Sequence, residues 1–174
     1  MLSKNIEKLL NEQVQLEFES SQFYLAMASW AEAKGLNGVS GFLYGQADEE
    51  RVHMLKLFHF INERGSHAAV GGSKAPTAKF KNVKEVFEDL LKHELAVTHE
   101  INKLVDACLK EKDYTTHNFL QWYVSEQVEE EKQAMTILDK LELLGEDRGG
   151  LYLFDRDLAS MTAATAADAA NGGK

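Results

Sequence analysis

The sequence predicts an all-α chain: a four-helix bundle with a long crossover between its second and third helices, and a short fifth helix. Three observations carry that prediction. The 174 residues include one proline, Pro76, and the glycines gather at segment ends, so long stretches lack helix breakers. Apolar residues recur along each stretch at helical spacing. Finally, Glu17 stands 33 residues before Glu50 (50 − 17), with His53 three further on, and Glu94 stands 33 before Gln127 (127 − 94), with Glu130 three further on. The first half of the chain repeats in the second.

The first helix is expected from about Lys4 to Ala33, stopping at Gly35, and the second follows Asn37 and stops at Gly65, because Gly favours the position just past a helix end. The third begins after Asn82, with Glu85 three positions on in a capping-box-like arrangement, and ends near Glu111. The fourth follows Asp113 and ends at Gly145. A short fifth helix spans roughly Arg148 to Ser160. One domain, 1–160, is expected, followed by an Ala/Gly-rich tail, 161–174, that has little to bury and is expected to be disordered.

The connection from Ser66 to Asn82 is too long for an antiparallel helix joint. Extended, it spans up to about 55 Å, enough to run the length of a helix and make the second and third helices parallel. The two short connections instead make antiparallel hairpins. The midpoints of Glu17 with Glu50 and of Glu94 with Gln127 fall near Gly35 and Lys110, so each hairpin carries a carboxylate facing an i, i+3 pair, about 25 Å from its turn at 1.5 Å per residue.

In the third helix Phe87, Leu90, Leu91, Val97, Ile101, Val105 and Cys108 form an apolar stripe with Glu94 in its middle, so its carboxylate points into the core. In the fourth, Leu120, Tyr123, Ala134, Ile137 and Leu141 bracket Gln127 and Glu130; in the second, Leu43, Leu57 and Phe60 bracket Gln46, Glu50 and His53. Glu17 is less clearly placed, among Leu10, Gln13, Tyr24 and Ala28. Burying several carboxylates together costs several kcal/mol each unless they are protonated or matched by cations, and the stripes contain no Lys or Arg. Two divalent ions would match Glu17, Glu50, Glu94 and Glu130, with His53 adding a nitrogen ligand. Mixed carboxylate and imidazole ligation favours iron or manganese over calcium or structural zinc.

A single helical Glu is ordinarily a solvated surface residue and a lone His a hydrogen-bonded core residue. The repeated offset and the three stripes lift these above that baseline. Tyr24, two turns on from Glu17, either sits over the site or packs as a core aromatic. Glu49, Glu126 and Glu129 form either an acidic cluster beside the site or a solvated charged face.

Hydrophobic residues make up 44% of the chain, enough for a sizeable core. A net charge of −9, from 28 acidic against 19 basic residues, argues against nucleic acid as a partner and for small cations. The lone Cys108 excludes an internal disulfide framework. No apolar run is long enough to cross a bilayer, and Met1 to Gln13 lacks a signal-peptide core, so a soluble, cytoplasmic protein is expected.

Several motifs are shared with a known family: Asn11-Glu12-Gln13, Glu49-Glu50-x-x-His53, Lys92-His93-Glu94, the run from Asn118 to Gln127, and Gly150-Leu151-Tyr152. At these residues the chain resembles the non-haem bacterial ferritins, from Leu2 to about Leu158. The resemblance implies a ferritin-like bundle with a dinuclear ferroxidase centre, in which Glu17, Glu50 and His53 hold one iron and Glu50, Glu94 and Glu130 the other. Gln127 falls on a hydrogen-bonding or weak-ligand position and Tyr24 on the family's site tyrosine. Glu49, Glu126, Glu129 and Glu130 fall on a third iron site. The family further implies a homo-oligomeric hollow shell of 24 subunits that oxidises ferrous iron with oxygen or peroxide and stores ferric mineral. Bacterioferritins carry Met after the Glu of the second helix and Glu-x-x-His in the fourth, where this chain has Arg51 and Gln127 with Glu130, so no haem is expected. Eukaryotic ferritins place acids along their threefold channels, where this chain reads Thr116-His117-Asn118-Phe119-Leu120, so that acidic route is not implied. A di-iron oxidase or peroxidase without mineral storage, and a metal-free bundle serving as an interaction module, are the competing readings.

Overall fold

The computed structural model describes residues 1–77, 79–145 and 147–171, with side chains described no further than residue 160. Five helices follow in order: α1 (Lys4–Ala33), α2 (Asn37–Glu63), α3 (Val83–Glu111), α4 (Tyr114–Leu144) and α5 (Arg148–Asn171). Among the described residues there is no strand.

The helix ends follow from local chemistry. Ser3 caps α1 by accepting from Ile6 N at 3.1 Å, Asn82 caps α3 through Glu85 N at 2.9 Å, and Asp113 caps α4 through Thr116 N at 3.0 Å. The capping box expected at α3 is shifted by one residue, since the Glu85 carboxylate accepts from Lys81 N and not from Asn82 N. Gly35 and Gly65 take φ of +75° and +76°. There Leu36 N reaches Ala31 O at 3.0 Å and Ser66 N reaches Ile61 O at 3.2 Å, closing both helices in the same way. At the end of α3 the left-handed residue is Lys112, φ +58°, with Asp113 N on Cys108 O at 2.9 Å.

The crossover runs alongside α1. Asn11 holds its start, donating to His67 O at 3.3 Å and accepting from Ala69 N at 2.6 Å; Gln15 donates to Gly72 O at 3.1 Å, and Phe80 meets Trp30 with ring centres 5.7 Å apart. Contacts between Asn5 and Glu111 and between Tyr24 and Glu94 show α1 and α3 to be antiparallel. Since α1 and α2 form a hairpin, α2 and α3 are parallel, as the loop length predicts.

The expected short fifth helix is longer than 148–160: its backbone stays helical to Asn171 through an Ala-rich stretch, consistent with alanine's helix propensity. The backbone of 161–171, the first part of the expected tail, lies in α5, and residues 172–174 lie outside the described residues. Phe154 and Leu158 bury against the end of the bundle, Phe154 edge-on to Phe87 at 6.4 Å. Asp155 accepts from Val39 N at 2.9 Å, tying α5 to the start of α2.

Buried apolar side chains form two clusters. One gathers Met27, Leu43, Phe87, Leu90 and Ile137 towards α5; the other gathers Ile6, Leu10, Leu57, Ile101 and Leu104 towards the opposite end. Between them lies a belt of buried polar groups.

At Gly38 a Cβ would lie 1.7 Å from the backbone carbonyl oxygen of Asp155, so α2 and α5 meet backbone to backbone. Gly38→Ala is expected to destabilise the chain by about 2 kcal/mol or more by forcing the two helices apart, read as a lowered midpoint in denaturant melts. An unchanged midpoint would mean that α5 does not pack there.

Candidate metal centre

The polar belt is built from one residue or pair on each of four helices. Glu17 on α1, Glu50 and His53 on α2, Glu94 on α3 and Glu130 on α4 are 1%, 3%, 3%, 0% and 6% exposed. Glu17, the least clearly placed from sequence, is thus as buried as the others. Among the described residues no buried side chain is Lys or Arg.

The axial register differs from the equal-offset reading. Glu17 stands 16 residues before the end of α1 at Ala33 (33 − 17), and His53 stands 16 after the start of α2 at Asn37 (53 − 37). Glu94 stands 17 before the end of α3 (111 − 94), and Glu130 stands 16 after the start of α4 (130 − 114). Counted from the helix ends, His53 and Glu130 match their partners most nearly, while the Gln127 side chain still reaches Glu94. The reason is that each turn is centred one to two residues beyond the midpoint the offset implies.

Glu17, Glu50 and His53 each present a ligand atom within 4.8 Å of the others. Glu17 accepts from Gln13 Nε2 at 2.8 Å, and Glu50 Oε2 lies 3.5 Å from His53 Nδ1. Tyr123 donates to the backbone carbonyl of His53 at 2.8 Å, and Trp122 stands edge-on to its ring at 5.2 Å. Glu94 is engaged differently. Its Oε1 accepts from the Tyr24 hydroxyl and its Oε2 from Gln127 Nε2 at 3.0 Å. Tyr24 is therefore both a core aromatic and a partner of the site. Glu94 and Glu130 do not join the tight triad, but both act electrostatically on Glu50.

One oxygen each of Glu17, Glu50 and Glu130 is buried without a hydrogen-bond partner. An unmatched buried carboxylate oxygen is costly, and two of these, on Glu17 and Glu50, stand with the His53 imidazole as a donor set suited to a hard or borderline divalent cation, while Glu130 acts on Glu50. Burial, followed by the charge of Glu50, pushes Glu17 well above the usual carboxylate range. Burial raises Glu50 and Glu130 to about 8, with further rises from Glu94 and Glu130 on the former and from Glu49 and Glu94 on the latter.

Of the outer acids, Glu49 and Glu126 come within 4.8 Å of a ring nitrogen of His53 and of each other. Glu129 is exposed and lies outside that group, though its charge helps raise Glu126, whose largest cause is burial. Gln13, Tyr123 and Thr98, which hold the ligands, were not singled out as site residues; Gln13 and Tyr123 lie on the same helical faces as the ligands, and that was the available signal.

The Ferritin-like domain family matches residues 7–144 of this chain. A probable bacterial non-heme ferritin-like protein of Haemophilus influenzae is 50% identical over 162 residues, covering 93% of this chain and 98% of that protein. A bacterial non-heme ferritin of Campylobacter jejuni is 47% identical, covering 90% and 93%. Among solved structures, an open pore ferritin of the archaeon Archaeoglobus fulgidus superposes with a TM-score of 0.90 at 40% identity, covering 91% and 98%.

Because burial raises Glu50 and Glu130 from an ordinary value of 4.5 to about 8, the folded iron-free chain holds protons that the unfolded chain has lost between those values. Stability from these groups is full below the ordinary value and is lost as pH rises through about 8. Melting of the iron-free protein is expected to fall from acid towards alkaline pH across that window, and Glu50→Gln to flatten the slope. A variant slope equal to the wild-type slope would count against this assignment. The chain belongs to the ferritin family.

Proposed function

We propose that the chain is an iron-storage ferritin whose buried carboxylates and His53 form an intrasubunit ferroxidase centre. The observation that carries this reading is the buried triad of Glu17, Glu50 and His53, with partnerless oxygens on Glu17, Glu50 and the nearby Glu130 in a belt where, among the described residues, no Lys or Arg is buried. Ferrous iron is the substrate. Glu17, Glu50 and His53 would take one ion, and Glu50, Glu94 and Glu130 a second, so that four carboxylates offset two divalent charges. Two ions give up two electrons to dioxygen or peroxide. The raised carboxyl groups lose their protons as iron arrives, which couples uptake to proton release.

Around the centre, Gln13 orients Glu17, Tyr123 holds the His53 backbone, and Tyr24 and Gln127 restrain Glu94. Glu49, Glu126, Glu129 and Glu130 are proposed to hold a third iron on the way out of the pair, consistent with Glu49 and Glu126 approaching His53 from the outer side. The product would pass to a mineral inside a homo-oligomeric shell of 24 subunits in the cytoplasm. Among the described residues no helix is long and apolar enough to cross a membrane. No haem is proposed, since Arg51 offers no thioether where a bacterioferritin has its axial Met.

Purification of the assembly, with measurement of size and iron content, tests storage directly. A large particle that loads many irons per subunit is expected; a small oligomer holding no more than the site ions would overturn storage.

Glu94→Ala is expected to keep the assembly but lose the fast phase of ferrous oxidation in stopped-flow absorbance, by about 100-fold or more if a direct ligand matters at least as much as its supporting contacts. An unchanged initial rate would remove Glu94 from the centre. The two ion positions should also differ, because one has an imidazole and the other does not. Two-step zinc binding is expected, with His53→Ala weakening mainly the tighter step. Anomalous diffraction at limiting zinc should show fuller occupancy beside His53, and equal occupancy or preference for Glu130 would refute the asymmetry.

A further inference from the structure

The Gln127 amide faces three acceptors. Its Nε2 lies 3.0 Å from Glu94 Oε2, 3.3 Å from the Glu94 carbonyl and 3.3 Å from Thr98 Oγ1. A backbone carbonyl can only accept, so the nitrogen and not the oxygen of this amide points at Glu94. The Thr98 hydroxyl is committed elsewhere. It donates to Glu131 Oε1 at 2.6 Å, which leaves its oxygen free to accept from Gln127. The chain Gln127 to Thr98 to Glu131 thus runs in one direction, away from the buried centre to a half-buried carboxylate.

Ser21, one turn after Glu17 as Thr98 is one turn after Glu94, instead donates to the Ala47 carbonyl at 2.7 Å. The relay belongs to the second hairpin.

We infer that Thr98 and Glu131 are positioning residues for the ion site beside Glu130: they fix the Gln127 amide as a hydrogen-bond donor that restrains Glu94. Gln127 then serves as a restraint on a ligand, not as a ligand itself. The inference rests on the proposed iron centre and adds two residues outside it. With Tyr24 on Oε1 and Gln127 on Oε2, Glu94 enters ion binding already oriented, whereas Glu17, Glu50 and Glu130 keep an oxygen open. Removing the Thr98 oxygen leaves the two amide hydrogens to Glu94 alone and cuts the tie that anchors the amide to Glu131.

The test is calorimetric zinc titration of the iron-free assembly, with crystal structures of the same variants. Thr98→Val is expected to weaken the second zinc step by about 10- to 100-fold, the range for supporting contacts, while the first step stays within about threefold. Thr98→Ser is expected to restore the second step, and Glu131→Ala to give a smaller loss than Thr98→Val. In the Thr98→Val crystal structure Gln127 Nε2 should lie beyond hydrogen-bond reach of Glu94 Oε2. An unchanged second step, an equal loss in both steps, no rescue by serine, or an undisturbed Gln127 contact would each overturn the inference. A wild-type assembly that binds no zinc pair would sink the iron-centre reading, and the crystal structure of the variant would still decide the positioning role.

Discussion

Four carboxylates share the middle of this bundle, and among the described residues no Lys or Arg is buried to match them. Everything else in the structure accommodates that constraint. Left ionised and unpartnered, each would cost several kcal/mol, so the metal-free chain is expected to hold protons there, and burial accordingly lifts Glu50 and Glu130 to about 8. Such a centre is a stability defect by itself, and the proposed divalent ions would relieve it. The apolar core is interrupted to make room, and its two clusters carry the packing that holds the polar belt between them.

The fold supplies four helices that each contribute to the belt. Short turns place α1 against α2 and α3 against α4, while the crossover beside α1 makes α2 and α3 parallel. Because the ligands stand on helices, their spacing is set by backbone geometry and by firmly packed neighbours. Side-chain support then differs around the ring. Glu94 is restrained on both oxygens, by Tyr24 and Gln127, whereas Glu17, Glu50 and Glu130 each leave one oxygen open. In the proposed iron centre a restrained carboxylate would meet an ion without reorganisation, and an open one could adjust as charge changes from ferrous to ferric. The ring therefore combines rigid and adaptable ligands.

The sequence by itself determined the helix limits of the four long elements and the residues that line the belt. Ser3, Asn82 and Asp113 are local caps, Gly35 and Gly65 local stops, and a helical stripe assigns a face from spacing alone. The long connection reported the crossover because chain reach is a property of length. Membership of the ferritin family was also legible, since its motifs lie on those same faces.

Tertiary structure alone decided which faces meet and at what height. Glu17 reads weakly in sequence because its neighbours on α1 are mixed, yet the packing of α1 against α2 and α3 leaves it 1% exposed. Gln127 reads in sequence as a hydrogen-bonding or weak-ligand position, and only the packing of α3 brings Thr98 and two Glu94 oxygens to its nitrogen. The extension of α5 to Asn171 and its close backbone approach at Gly38 had no counterpart in the stripes. The physical reason is common to all three. Helical periodicity fixes the direction of a side chain about its own axis, whereas the rotation and axial shift between helices emerge from packing of the whole core.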